Sequence, residues 1–326
     1  MKDQFGRRID YLRISVTDKC NLRCTYCMPV EGLEWIPRSE LLRFEEITAI
    51  VSQMADMGLE RVRITGGEPL VRRDLPDLVA MLAAVPGIRD IALSTNAVLM
   101  PQFASRLREA GVRRVNISLD TLRRTRFESI ARRPVRFWDA TLEGIEAAER
   151  AGFAPLKINT VLMRGVNDDE VEEFAAITRR KPWHVRFIEL MPVAENLHLS
   201  DRFIPAGEVL ERLSTTAELR PVSGPDGNGP ARYFSYPDAP GTIGVITPLS
   251  HDYCETCNRM RLTADGRLRT CLFGTHEVDL RAPLRGTGSV KEAVQLALAG
   301  KPRQHLLQIG STAGSGGLSA LSQVGG

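Results

Sequence analysis

Apolar and polar positions switch period repeatedly along the first two-thirds of the chain. Tyr11-Leu12-Arg13-Ile14-Ser15-Val16 alternates and is rich in β-formers, which predicts a strand. From Phe44 to Met57 the apolar residues Phe44, Ile47, Val51 and Met54 share one helical face, and Gly58 supplies the stop. The pattern then repeats. Strands are predicted at Arg61–Thr65, Ile91–Ser94, Val115–Leu119, Leu156–Val161 and Val185–Leu190. Helices are predicted at Pro76–Ala84, at Pro101–Ala110 with Gly111 closing it, and at Asp169–Thr178. A further helix is marked by Trp138, Leu142, Ile145 and Ala148 and closed by Gly152. About six strand–helix units in succession imply a parallel sheet with right-handed crossovers. Six are too few for a closed eight-fold barrel. The fold class expected is therefore α/β, an incomplete (β/α)6 TIM-like barrel. Beyond about residue 200 the periodicity fades, and Pro221 to Gly241 reads as loops and short strands.

In such barrels chemistry collects at the carboxyl ends of the strands. The polar clusters fall there: Gly66-Gly67-Glu68, Ser94-Thr95-Asn96, Ser118-Leu119-Asp120, Met191, and a cysteine loop after the first strand. That loop reads Cys20-Asn21-Leu22-Arg23-Cys24-Thr25-Tyr26-Cys27. Thiolates gathered this closely select zinc, copper(I) or an iron–sulfur cluster. A cubane cluster normally takes four cysteines, so three leave one iron open. An open metal position marks a catalytic site rather than a structural one. A zinc knuckle or a disulfide staple is the plainer alternative. Zinc sites, however, usually come as paired Cys-x2-Cys halves, and three cysteines cannot all pair with one another.

The 326 residues contain six cysteines, and all fall in two triads, 20/24/27 and 254/257/271. The second triad is also one ligand short of four. His251 or His276 could complete it as a zinc site. The formal net charge of +3 argues against a nucleic-acid-coating protein. No run is long and apolar enough to span a membrane. The start, Met1-Lys2-Asp3-Gln4, lacks a secretory apolar core, so a cytoplasmic location is expected. Cysteine there more often binds metal or does chemistry than forms disulfides.

The Cys-x3-Cys-x2-Cys spacing, with Tyr26 before the last cysteine, resembles the signature of the radical S-adenosylmethionine enzymes. By that resemblance, Gly66-Gly67-Glu68-Pro69 is similar to the loop that holds the amino group of S-adenosylmethionine. Tyr26, Gly67, Glu68, Ser118 and Met191 are then expected to touch this cofactor. Read alone, the Gly-Gly loop is a strand-to-loop turn, Met191 a core filler and Ser118 a satisfied hydroxyl. The resemblance also implies an incomplete six-strand barrel with one lateral opening.

The two triads together, with Arg259 and Arg261 directly after Cys257, resemble the GTP 3′,8-cyclase family of molybdenum cofactor biosynthesis. The similarity runs over roughly residues 5 to 280. It includes Arg63-Ile64-Thr65-Gly66-Gly67-Glu68-Pro69-Leu70, Asn116-Ile117-Ser118-Leu119-Asp120 and Arg186-Phe187-Ile188-Glu189-Leu190-Met191, and the chain ends Gly325-Gly326 as that family does. The resemblance implies two [4Fe–4S] clusters, one on Cys20, Cys24 and Cys27, the other on Cys254, Cys257 and Cys271. It implies GTP contacts from Arg13, Arg63, Ser94, Lys157, Arg259 and Arg261, with the base at the open iron of the second cluster. Singly, Arg13, Arg63 and Lys157 would each be expected to pair with an internal carboxylate or to lie on the outer face. Arg259, Arg261, Gly325 and Gly326 join the first triad as residues needed for turnover. A 5′-deoxyadenosyl radical would take hydrogen from C3′ of GTP, and the C3′ radical would add to C8. An external electron donor and a downstream cyclic pyranopterin monophosphate synthase are the implied partners, with the chain a monomer or homodimer. The domains expected are a barrel over 1–200, a cluster and substrate domain over 201–309, and a Gly/Ser-rich tail over 310–326. Two positions depart from the family: Ala97 stands where Gly is usual, and Gly310 to Gly317 replaces a basic tail. A peptide-modifying maturase with two clusters, or a non-catalytic metal module, are the rival readings.

Overall fold

The computed structural model describes residues 1–192, 194–225, 229–286, 288–305 and 320–324. Six strand–helix units build the first part. They are β1 (Tyr11–Ser15) with α1 (Phe44–Asp56), β2 (Arg61–Thr65) with α2 (Leu75–Ala83), and β3 (Asp90–Thr95) with α3 (Met100–Ala110). Then follow β4 (Arg114–Ser118) with α4 (Arg124–Ala131) and α5 (Arg136–Arg150), β5 (Leu156–Leu162) with α6 (Val171–Ile177), and β6 (His184–Glu189) with α7 (Ala206–Thr216). These match the periodicity closely. α4 is an addition that the apolar pattern did not announce. The remaining strands and α-helices are β7 (Arg220–Val222), β8 (Arg232–Ser235), β9 (Thr242–Ile246), β10 (Arg259–Leu262), β11 (Arg267–Arg269), β12 (Glu277–Asp279), α8 (Arg281–Arg285), α9 (Val290–Ala299) and α10 (Leu321–Val324).

One 12-stranded sheet runs β12-β11-β10-β1-β2-β3-β4-β5-β6-β9-β8-β7. β1 to β6 pair in parallel in sequence order, so each is joined to the next by a crossover. The carboxyl-terminal region contributes to both edges of this sheet. β10 adds parallel to β1, with Arg13 opposite Arg261, and β9 adds parallel to β6, with Arg186 opposite Gly244. Antiparallel strands then finish each side. No helix among the described residues is long and apolar enough to cross a membrane.

The alternation of each strand divides two environments. Leu12, Ile14, Val62, Ile64, Val115 and Ile117 are fully buried in the main core beneath the helices. Their neighbours Tyr11, Arg13, Arg63, Ser118, Asn159 and Arg186 point the other way and line an interior cavity. The pleat thus places a row of cations on the concave face.

Candidate functional site

The cysteine loop follows β1 and is fastened from two sides. Gly67 N–H donates to Thr17 O at 2.7 Å and Glu68 N–H to Lys19 O at 2.8 Å. A Cβ at Gly66 would stand 2.4 Å from Thr17 O, and one at Gly67 would stand 2.3 Å from Lys19 O. The two glycines therefore admit the backbone of the cysteine loop, a closer approach than any side chain would allow. On the other side α4 clasps the loop. Arg23 N–H donates to Ala131 O and Thr25 N–H to Ile130 O, both at 2.9 Å, and Arg133 Nε reaches Asn21 O at 2.6 Å.

Cys20, Cys24 and Cys27 line one cavity together with Tyr26, Gly67, Glu68, Ser118 and Met191. Every residue expected at the cofactor is thus in one chamber. Burial first, then Glu68, pushes the Cys20 thiol up to about 12. Burial, Asp120 and the other two thiols raise Cys24 well above its usual range. Cys20 and Cys24, raised in this way, ionise together only when cationic metal compensates them, which is how this donor set fits an iron cluster. The ligands of a cubane bind separate corners and need not converge. Among the described residues, no three Cys, His, Asp or Glu side chains converge on one ion position.

Glu68 is buried, and burial lifts its carboxyl to about 7. It accepts from Thr95 Oγ1 at 2.7 Å, Asn96 N–H at 2.7 Å and Leu70 N–H at 3.0 Å. A carboxylate has acceptor capacity beyond three bonds, so an ammonium group still fits. Asp120, just beyond the end of β4, is buried and has no role that its sequence motif alone announces. Its Oδ2 accepts from Tyr26 Oη at 2.8 Å and its Oδ1 from Val161 N–H at 2.9 Å. Burial pushes this carboxyl to about 6. Asp120 thereby fixes the ring beside the cysteines.

A second cavity holds Cys254, Cys257 and Cys271 with Tyr11, Arg13, Arg63, Arg186, Arg259 and Arg261. Its described lining carries five arginines and no Asp or Glu. The carboxylates at the amino ends of the strands are engaged elsewhere: Asp10 with Arg61 at 2.8 Å, and Asp90 with Arg114. Burial and then Arg261 and Arg63 press Arg13 well below the usual guanidinium range, and burial with Arg259 brings Arg261 to about 10. Tyr11 Oη, Arg63 Nε, Arg186 Nε and Asn159 Oδ1 are buried without a hydrogen-bond partner among the described residues. The three donors among them, on Tyr11, Arg63 and Arg186, are crowded by like charge and are the complement of a polyanion, whereas Asn159 Oδ1 is an acceptor and suits an N–H or O–H. Tyr11, Asn159 and Arg186 were not singled out from the sequence. Arg186 donates to Asn116 Oδ1 at 2.8 Å, pairs in register with Asn159, and shares a cavity with Arg13 and Arg63 only once the sheet is formed.

Lys157 lies outside both linings. It is buried on β5 with Arg186, Arg114 and Arg63 nearby, and burial followed by their repulsion lowers its ammonium to about 6. His251 and His276 line neither of these two cavities, whereas His305 lines the second. Burial alone would raise the Cys257 thiol, but Arg259 and Lys301 bring it down to about 7. Ala97 is fully buried with φ of 64°, the left-handed region that explains why glycine suits this position. Gly325, Gly326 and the stretch Gly310 to Gly317 lie outside the described residues. Leu321 and Ser322 nevertheless line the first cavity.

Ser94, Ser118, Asn159, Ile188 and Met191 belong to both linings, so the two chambers adjoin. Residues 14–177 match the Radical SAM superfamily model, and residues 183–307 match the Molybdenum Cofactor Synthesis C model. A GTP 3′,8-cyclase of Pelotomaculum thermopropionicum is 48% identical, and one of Moorella thermoacetica 44% identical, each over 100% of both chains. Among solved structures, Streptococcus suis SuiB bound to S-adenosylmethionine superposes with a TM-score of 0.59. That match covers 88% of this chain and 68% of the other at 14% identity, and so bears on the fold. The chain belongs to the radical S-adenosylmethionine superfamily and, within it, to the GTP 3′,8-cyclase family.

Proposed function

We infer that the protein converts GTP to (8S)-3′,8-cyclo-7,8-dihydroguanosine 5′-triphosphate, the first step of molybdenum cofactor biosynthesis. One observation carries this reading: two thiol triads line two adjoining chambers, and the second chamber is walled by arginines. When bound, the first cluster and S-adenosylmethionine supply a carbon-centred radical able to take hydrogen from C3′, and the second cluster supplies an open iron for the base.

The chain's own residues bind, orient and exclude water. Cys20, Cys24 and Cys27 hold the first cluster, and Cys254, Cys257 and Cys271 the second. Glu68 accepts the cofactor's ammonium, while Gly67, Tyr26, Ser118 and Met191 shape its seat. Arg13, Arg63, Arg186, Arg259 and Arg261 take the triphosphate, bidentately where geometry allows. Lys157 contributes charge from the layer beneath, and Ser94 stands at the seam between the chambers. Pinning both ends of the nucleotide turns hydrogen transfer and ring closure into steps between pre-placed atoms. The apolar walls Ile188 and Met191 keep water from the seam.

The same reading places the enzyme in the cytoplasm, as a monomer or homodimer. It takes electrons from an external donor, and a cyclic pyranopterin monophosphate synthase consumes its product. Leu321 and Ser322 of α10 line the first chamber, which supports a role for the nearby Gly325-Gly326 sequence in turnover. The test is anaerobic incubation with GTP, S-adenosylmethionine and a reductant. Formation of 5′-deoxyadenosine together with a cyclised nucleotide is expected; 5′-deoxyadenosine with GTP recovered unchanged contradicts the assignment.

A further inference from the structure

Lys301, just beyond α9, is a buried cation to which the reading above gives no role. It is 2% exposed. Its ammonium donates to Arg259 O at 2.9 Å and to Thr270 O at 2.5 Å, and lies 3.7 Å from Cys257 Sγ. Arg259 follows Cys257 by two residues, and Thr270 immediately precedes Cys271. A single amine therefore ties the two chain limbs that carry two thiols of the second triad. The segment that begins at Lys301 continues around the site. The His305 backbone N–H favours the Cys254 thiolate. Arg7 clamps the segment from outside, donating to Pro302 O at 2.7 Å, Arg303 O at 2.8 Å and Cys254 O at 2.8 Å, with Asp3 holding its Nε at 2.6 Å.

Two backbone carbonyls alone do not require a lysine. A neutral amide or a water would satisfy them without the cost of desolvating a charge. A buried ammonium is offset when it faces negative charge, and three thiolates on a cluster supply that charge. A cation this close also favours the state with the extra electron, since cluster potentials follow local charge and hydrogen bonds to sulfur. At Cys20 and Cys24 of the first triad, by contrast, the charged groups acting most are carboxylates and other thiols, with Arg133 a smaller influence on Cys20.

We propose that Lys301 is a positioning residue for the second cluster, raising that cluster's reduction potential and fixing the spacing of Cys257, Cys271 and the Arg259–Arg261 pair. This rests on the second triad holding a cluster, as read above. Because Arg259 is itself tied, the same contact aligns the arginines that take the triphosphate. Lys301→Met should therefore raise KM for GTP more than it lowers kcat.

The experiment compares anaerobically reconstituted wild type, Lys301→Met and Lys301→Arg by iron content and by redox titration followed with electron paramagnetic resonance. The signal that GTP perturbs identifies the second cluster. Wild type should hold about eight irons per chain; about four would overturn the two-cluster reading and leave the lysine without a cluster to tune. Given two clusters, the second signal in Lys301→Met should titrate at a more negative potential while the first is unmoved, with Lys301→Arg close to wild type. If Lys301→Met loses the second cluster and Lys301→Arg keeps it, the charge is again shown to matter. Equal potentials in wild type and Lys301→Met, or loss of the cluster from both variants, would overturn the proposal.

Discussion

Replacing Lys157 with methionine should make the protein more stable and a poorer GTP binder at once. The ammonium sits inside the sheet, where burial, Arg186, Arg114 and Arg63 bring it from 10.5 to about 6. A lysine lowered in the folded state costs stability at any pH below its unfolded value. That cost is constant below about pH 6, declines as pH rises from 6 to 10.5, and vanishes above. Near pH 7.5 the unfolded chain keeps a proton that the folded chain gives up. At about 1.4 kcal/mol per pH unit this amounts to on the order of 4 kcal/mol. Methionine removes the cost, and the melting midpoint near pH 7.5 should rise by roughly 3–8 °C. The advantage should shrink by about 1.4 kcal/mol for each pH unit above that. GTP acts in the opposite sense. A triphosphate draws the proton back, so wild type should take one up on binding at pH values above the free-state value. Affinity should then fall by up to about tenfold per pH unit in that range, a slope that Lys157→Met loses. Calorimetry in two buffers of unlike ionisation enthalpy counts the proton, and thermal melts at several pH values give the stability difference. A wild type that binds GTP without proton uptake, or a variant that melts below it, refutes the reasoning.

Cys257→Ala should keep the first cluster and cleave S-adenosylmethionine slowly without cyclic product; product at wild-type levels would show that the second cluster does not position the base. Gly144→Ala should destabilise by about 2 kcal/mol or more, because the new Cβ would lie 2.0 Å from Ala97 O where α5 crosses the loop after β3. Unchanged denaturant unfolding would contradict that close contact. Deleting Gly325-Gly326 should reduce product formation more than cluster content or GTP affinity, whereas parental turnover would make the chain end passive.

The strand–helix units were legible because each strand alternates and each helix carries an apolar face, so local period and tertiary role agree. α4 was missed because only Phe127, Ile130 and Ala131 are buried along it, among three exposed or half-buried charged residues of its first turns. The placement of β9 and β10 was not readable from their residues. They are five and four residues long, and their partners β6 and β1 lie far away in sequence. Pairing at that separation is decided by the whole sheet. The same reason hid the arginine wall: Arg13 and Arg261 are unremarkable singly and meet only through register, and Arg186 joins their cavity only when the sheet is assembled. The cysteine triads were visible because thiol chemistry depends on spacing within a loop. The Gly66-Gly67 pair was noticed for its freedom, but what presses on it is the cysteine-loop backbone rather than a ligand. Asp120 lay within a quoted motif, yet its hold on Tyr26 crosses from one strand end to another.

The measurement closest to the central claim follows a single hydrogen. GTP deuterated at C3′ is incubated anaerobically with the reduced enzyme and S-adenosylmethionine, and the 5′-deoxyadenosine is weighed by mass spectrometry. If the two chambers hold cofactor and nucleotide against each other across Ser94, Ser118 and Asn159, deuterium appears in the 5′-deoxyadenosine and is lost from the cyclic product. Cyclic product formed alongside unlabelled 5′-deoxyadenosine would contradict it.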